Sequence, residues 1–292
     1  MKIRFVIAAF LVILFVPFGF VKAQNISEDI SNDYLINQNG VRINITDYNV
    51  LSEIYSDAYI QTMTNEDYTK FKARNINVNN LVKSEKYYKT TINNLTNEIT
   101  NTEVSENEFN NYNPGVETQG SVSHYVETQY KKLSITLSDN NNGYGDIFVG
   151  LLWKMIPSTR SFDVIAVRYV GMSDVDGTQY GRQIWGTNGN YTYVQYGWNG
   201  TNINRQDNGF GISMNITNDS TINYLENYID SSVKFSGTFQ WAGASYQHAT
   251  KTTTLAQSKS YTLDSGGKNG VILFTGNIGE KYDNMPGVYA EL

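Results

Sequence analysis

The residue types best suited to chemistry cluster between Trp185 and Gly200, which reads WGTNGNYTYVQYGWNG. Here Trp185, Tyr191, Tyr193, Tyr196 and Trp198 are interleaved with Asn and Gly. Flat rings stack on the apolar faces of sugars while side-chain amides read hydroxyl groups. Trp and Tyr also supply large, rigid contact area at small entropic cost. These five are the candidate ligand-binding residues, and a cell-wall or host glycan, or a surface protein, is the partner they predict. The competing reading makes Trp185, Tyr191 and Tyr193 cross-strand pairs filling a sheet face, because aromatics favour strands.

Catalytic constellations are sparse. The histidines are His124 and His248, each isolated in a strand-like context, so each reads as a half-buried, hydrogen-bonded histidine rather than a metal ligand. No G-x-S-x-G elbow occurs to present a nucleophilic serine. Asp139-Asn140-Asn141-Asn142-Gly143 and Asp174-Val175-Asp176-Gly177 depart from calcium-loop spacing and read as turns. Asp146, Asp163, Asp174 and Asp176 adjoin apolar segments and are the candidates for a carboxylate pair that would cleave glycosides. The criterion there is separation in space. Asp163 is expected to pair with Arg160 or Arg168, since a buried charge needs a partner. No metal and no cofactor is predicted, and enzyme status is disfavoured without being closed.

A second class of function comes from Lys234 to Leu263. Val233, Phe235, Gly237, Phe239 and Trp241 alternate with Lys234, Ser236, Thr238 and Gln240, and a Thr-rich strand is expected over Tyr246–Leu255. The pattern resembles the amphipathic hairpins of secreted β-pore-forming toxins such as the aerolysin-like family, and that resemblance implies membrane contact. Transmembrane strands need about 9–11 alternating residues, which both segments reach. Against it, Tyr246–Lys251 lacks an apolar outer face, and a solvated sheet face gives the same alternation.

Residues 1–23 read as a secretory signal peptide: Lys2 and Arg4 precede the apolar run Phe5–Phe20, and Val21-Lys22-Ala23 supplies the cleavage site. Its removal takes three of the 22 basic residues and no acid, leaving 19 against 28. Such an acidic chain without a basic run is a poor partner for nucleic acid. Cysteine is absent, so neither disulfides nor thiolate metal sites are available, and the fold must rest on its core. An exported chain without Cys, rich in Asn, Lys, Ile and Tyr, points to a Gram-positive-type bacterium and a secreted or wall-associated product.

The elements that would position these residues follow from pattern. After a flexible lead-in over 24–45, a short helical unit is predicted over 46–73. Thr46 is its first cap, Ser56 starts a new turn, and Thr64 with Asp67 forms a capping box. Leu51, Ile54, Tyr55, Ile60, Met63, Tyr68 and Phe71 should pack together or on the β body. A linker over 74–85 leads to an all-β domain over 86–292. Leu133, Ile135 and Leu137 alternate with polar residues, whereas Ile147–Leu152 and Phe162–Val170 are apolar on both faces. Glu98–Val104 is expected at a sheet edge, and Asp176-Gly177 marks a hairpin. The fold class is mainly β: a two-sheet antiparallel sandwich-like domain behind a signal peptide and a small helical N-terminal unit.

Overall fold

The computed structural model describes residues 33–112, 126–264 and 270–292. The predicted signal peptide, His124 and the first part of the lead-in lie outside the described residues.

The remainder of the expected lead-in forms a hairpin of β1 (Tyr34–Ile36) and β2 (Arg42–Asn44). Val41 and Ile43 are buried there, and the Asn37 side chain donates to Ile60 O and Met63 O, so this segment is anchored rather than free. Three helices follow, α1 (Ile45–Ile54), α2 (Asp57–Thr62) and α3 (Asn65–Ala73). The cap of α1 is Asn44 rather than Thr46: the Asn44 side chain accepts from the Thr46 N–H. Ser56 caps α2, and Thr64 and Asp67 form the reciprocal capping box of α3. The seven apolar residues named above are all buried in one cluster that also holds Phe148, Ile184 and Tyr228. Helices this short are marginal alone, and burial against the sheet holds them.

The chain then enters β3 (Leu81–Asn93) and its edge partner β4 (Glu98–Val104), followed by α4 (Glu106–Asn111). Strand β3 begins inside the stretch expected to be a linker. Next come β5 (Val126–Asp139), β6 (Tyr144–Trp153), β7 (Phe162–Val170), β8 (Met172–Asp174), β9 (Tyr180–Thr187) and β10 (Asn190–Tyr196). The second half holds β11 (Ile203–Gln206), β12 (Gly209–Asn215), β13 (Tyr224–Phe235), β14 (Trp241–Gln247), α5 (Leu255–Ser258), β15 (Tyr261–Leu263), β16 (Ile272–Phe274) and β17 (Val288–Glu291).

Among the described residues all strand pairings are antiparallel. An eight-stranded sheet runs β10-β9-β13-β6-β5-β3-β4 with β8 also beside β13, and a five-stranded sheet runs β11-β12-β7-β14-β17. Their inner faces share one apolar core, where Leu133, Val149 and Ile229 of the large sheet meet Val167, Ile212 and Tyr246 of the small one. The protein is thus mainly β and sandwich-like.

Three expectations change. Asp176-Gly177 turns the chain, but β8 and β9 do not pair with each other; both lie along β13. The alternation over Val233–Trp241 is split, because β13 belongs to the large sheet and β14 to the small one. No hairpin therefore joins the two strands of the pore-like segment, and β14 is buried along nearly its whole length. The Thr-rich strand stops at Gln247, because Thr254 and Gln257 form a capping box and start α5 instead.

Candidate functional site

The face of the large sheet turned away from the sandwich core carries ionic groups. Strand side chains alternate between faces. With Leu225, Ile229 and Val233 in the core, Tyr228, Asp230 and Ser232 lie on the opposite face, where Tyr228 joins the helix-side cluster. Register sets Asp230 between Phe148 of β6 and Tyr180 of β9, Ser232 beside Asp146, and Tyr228 beside Arg182.

Arg74 caps the C-terminal end of α3 and reaches down onto this face. Its Nη2 donates to Asp230 Oδ1, and its Nε lies 3.5 Å from Asp146 Oδ1. Asp146 is further held by Asn140 Nδ2 at 2.9 Å and Ser232 Oγ at 2.6 Å. Burial raises the Asp230 carboxyl above its ordinary value, and the Arg74 charge opposes that rise. For Arg74 itself burial disfavours the charge, but Asp230, Tyr55 and Asp146 outweigh it and the net shift is upward.

Arg182 is a second ionic anchor, fully buried on β9. Its guanidinium carbon lies 4.7 Å from the Tyr59 ring and 4.5 Å from the Tyr193 ring. Nη2 donates to Asp67 Oδ2 at 2.5 Å and to the Tyr180 hydroxyl at 3.2 Å. Stacking between rings satisfies the flat faces of a guanidinium whose edge is hydrogen-bonded.

Between these anchors a cavity of about 500 Å³ opens under α2 and α3. Tyr55, Tyr59, Phe71, Tyr144, Tyr180 and Trp198 supply its rings, Asn142, Thr178 and Gln179 neutral polar groups, and Arg74, Asp146 and Asp230 charges at the sheet, with Asp67 and Lys70 of α3 adding two more. Tyr55 and Tyr59 stack at 4.0 Å between centroids. Trp198 is 50% exposed, with the Arg205 guanidinium 5.5 Å from its ring centroid. Volume and lining match those of small-molecule sites, in which rings supply contact area and a few polar groups fix orientation.

The five residues singled out by sequence divide among three places. Trp198 lines the cavity. Tyr191 and Tyr193 pack with the helix-side cluster. Tyr191 meets Tyr224 edge-on at 5.1 Å, and its backbone is clasped by the Gln38 amide. Trp185 and Tyr196 are partly buried against the sandwich core, and burial pushes the Tyr196 hydroxyl up to about 12. Trp185 also walls a shallow groove of about 320 Å³ with Asn188, Asn190 and Asp219.

Of the candidate carboxylates, Asp146 reaches the cavity. Asp163 does not pair with Arg160 or Arg168. Its carboxylate accepts from the Tyr246 hydroxyl and the Ala249 N–H and meets His248 Nδ1 at 3.0 Å. His248 is fully buried rather than half-buried. The two arginines instead donate to main-chain carbonyls, Arg160 to Thr217 and Arg168 to Asp207. Asp174 accepts from Tyr169 and Gln179, and Asp176 is exposed in its turn. Among the described residues no group of three His, Asp or Glu is placed to hold a metal ion.

Arg74, Arg182 and Asp230 escaped the sequence reading. Arg182 in GRQIW and Asp230 in NYIDSS are single charges inside apolar strands, a pattern that demands buried partners.

No family model matches the chain, and no curated protein matches it. Among solved structures it is similar to the KRT10-binding region domain of the pneumococcal serine rich repeat protein PsrP. The identity is 12% and the TM-score 0.30, over 72% of this chain and 98% of that one. At that score the likeness carries no inference about fold or ligand.

Proposed function

We propose that this is a secreted, non-catalytic binding protein of a Gram-positive-type bacterium that takes a glycan unit in the cavity beneath α2 and α3. The observation that carries the reading is the convergence of Tyr144, Tyr180 and Trp198 with Asn142, Thr178 and Gln179 on one cavity. Rings cover the apolar faces of a pyranose, and amides and hydroxyls exchange hydrogen bonds with its rim. Arg74 neutralises much of the charge of both acids at the floor, which suits holding a ligand better than moving protons. Export is supported by the basic, apolar and small-residue pattern of residues 1–23.

Titration of the purified protein with cell-wall and host oligosaccharides, read by tryptophan fluorescence, tests this. Trp198→Ala should weaken binding about tenfold or more while leaving stability within about 0.5 kcal/mol, as for an exposed side chain. Equal binding by both proteins would move the ligand elsewhere, and no binding by either would remove the reading.

One observation favours a second reading. Asp146 and Asp230 face one cavity and both meet Arg74, and burial raises the Asp230 carboxyl, as suits the acid of a carboxylate pair that cleaves glycosides. Release of reducing ends that disappears in Asp230→Asn would establish a hydrolase. A bound oligosaccharide left intact would exclude it for that sugar.

A further inference from the structure

Lys131 is fully buried, a rare place for an ammonium group. It continues the row of β5 that carries Leu133, Ile135 and Leu137 into the sandwich core. Its Nζ donates to Oδ2 of Asp283, whose side chain is equally enclosed. Trp153 stands directly across the ladder from Lys131, with its ring centroid 5.1 Å from Nζ. His248 packs edge-on against the same indole at 4.9 Å. Asp283 is fixed as well: Oδ1 accepts the His248 main-chain N–H at 3.0 Å, and its own N–H donates to His248 O at 3.0 Å. The pair therefore joins β5 of the large sheet to the segment that leads into β17 of the small sheet, across 152 positions of sequence.

We propose that the side chains of Lys131 and Asp283 are joined after folding by an intramolecular amide bond. Within the enclosed pair, one proton passes from the ammonium to the carboxylate, giving a neutral amine and a neutral acid. The Nζ lone pair then attacks the carboxyl carbon and forms the C–N bond. The His248 N–H already donates to Oδ1 and stabilises the negative charge that builds on that oxygen. As the adduct collapses, the C–OH bond breaks, and the hydroxyl leaves as water with a second proton from nitrogen. One ammonium and one carboxylate give one amide and one water, so the step needs no co-reactant. Fixed contact between the two groups supplies the effective concentration that separate molecules lack.

Intact mass of the purified, unfolded wild-type protein, with its N-terminus determined by sequencing, decides the matter. The expected mass is lower than the sequence mass by one water. A proteolytic digest should yield one branched peptide joining the segments that hold Lys131 and Asp283. Lys131→Ala and Asp283→Ala should each restore the full sequence mass. A wild-type chain at its full sequence mass, with the two peptides recovered separately, would overturn the proposal and leave a buried ion pair. The wild-type measurement is made on the unfolded chain and does not depend on any variant folding.

Discussion

Asp67 serves two structures with one oxygen: Oδ2 accepts the Thr64 N–H at 2.8 Å and Arg182 Nη2 at 2.5 Å. The carboxylate that closes the first turn of α3 is therefore also the counter-charge for a guanidinium buried on β9. Helix start and sheet face are coupled through a single group, and that coupling sets one wall of the cavity.

Asp67→Ala should accordingly cost more than a cap. Loss of an N-terminal capping interaction costs about 0.5–2 kcal/mol, while removing one partner of a buried pair costs about 3–5 kcal/mol. Urea denaturation should show a loss near the upper figure, because Arg182 would remain buried without its carboxylate. The double variant Asp67→Ala/Arg182→Met should recover part of that loss, since an apolar side chain needs no counter-charge. Strictly additive losses would contradict the coupling.

Removal of Arg74 should make stability depend more steeply on pH. The folded-state value of Asp230 is already raised, so its ionisation costs the folded protein. A raised group contributes fully below its unfolded value of 3.8, and that contribution is lost as pH rises through the folded value. Arg74→Met takes away the charge that limits the rise and leaves Asp146 and Asp230 facing each other. The gap in melting temperature between variant and wild type should be small near pH 4 and widen toward about pH 7, as Asp230 ionises without its counter-charge. A gap that stays constant across that range would show that Arg74 matters through packing alone.

Much of the fold is legible from pattern and little of the site is. Leu133, Ile135 and Leu137 announce a strand with one buried face, and Thr64 with Asp67 announces a helix start, because each is a local rule about neighbours two or three residues apart. The cavity is assembled from α2, α3, β6, β9, β13 and the loop bearing Trp198, which meet only when strands distant in sequence pair. The periodicity of Val233–Trp241 shows the same limit. A single strand and two strands in different sheets share that alternation, and the break at Ser236–Gln240 is imposed by where the chain crosses between layers. Lys131 stands two positions before Leu133, on the same strand face, yet nothing near it in sequence points to burial or to Asp283.

That crossing supplies the last test. Gly171 joins β7 of the small sheet to β8 of the large one, and its carbonyl accepts the Ser236 N–H at 2.9 Å, so outgoing and returning crossings touch. Its φ is +72°, and a Cβ there would lie 1.9 Å from Phe239 O, a backbone atom that cannot rotate aside. Gly40 is the natural control: its φ is +76°, yet nothing lies within 4 Å of its added Cβ. Gly40→Ala should cost about 1–2 kcal/mol, the penalty for a left-handed L-residue. Gly171→Ala should cost clearly more, because the crossing segments must separate as well. Equilibrium unfolding of the two variants measures that difference. Equal losses would mean that the close approach of the crossings contributes nothing to holding the sheets together.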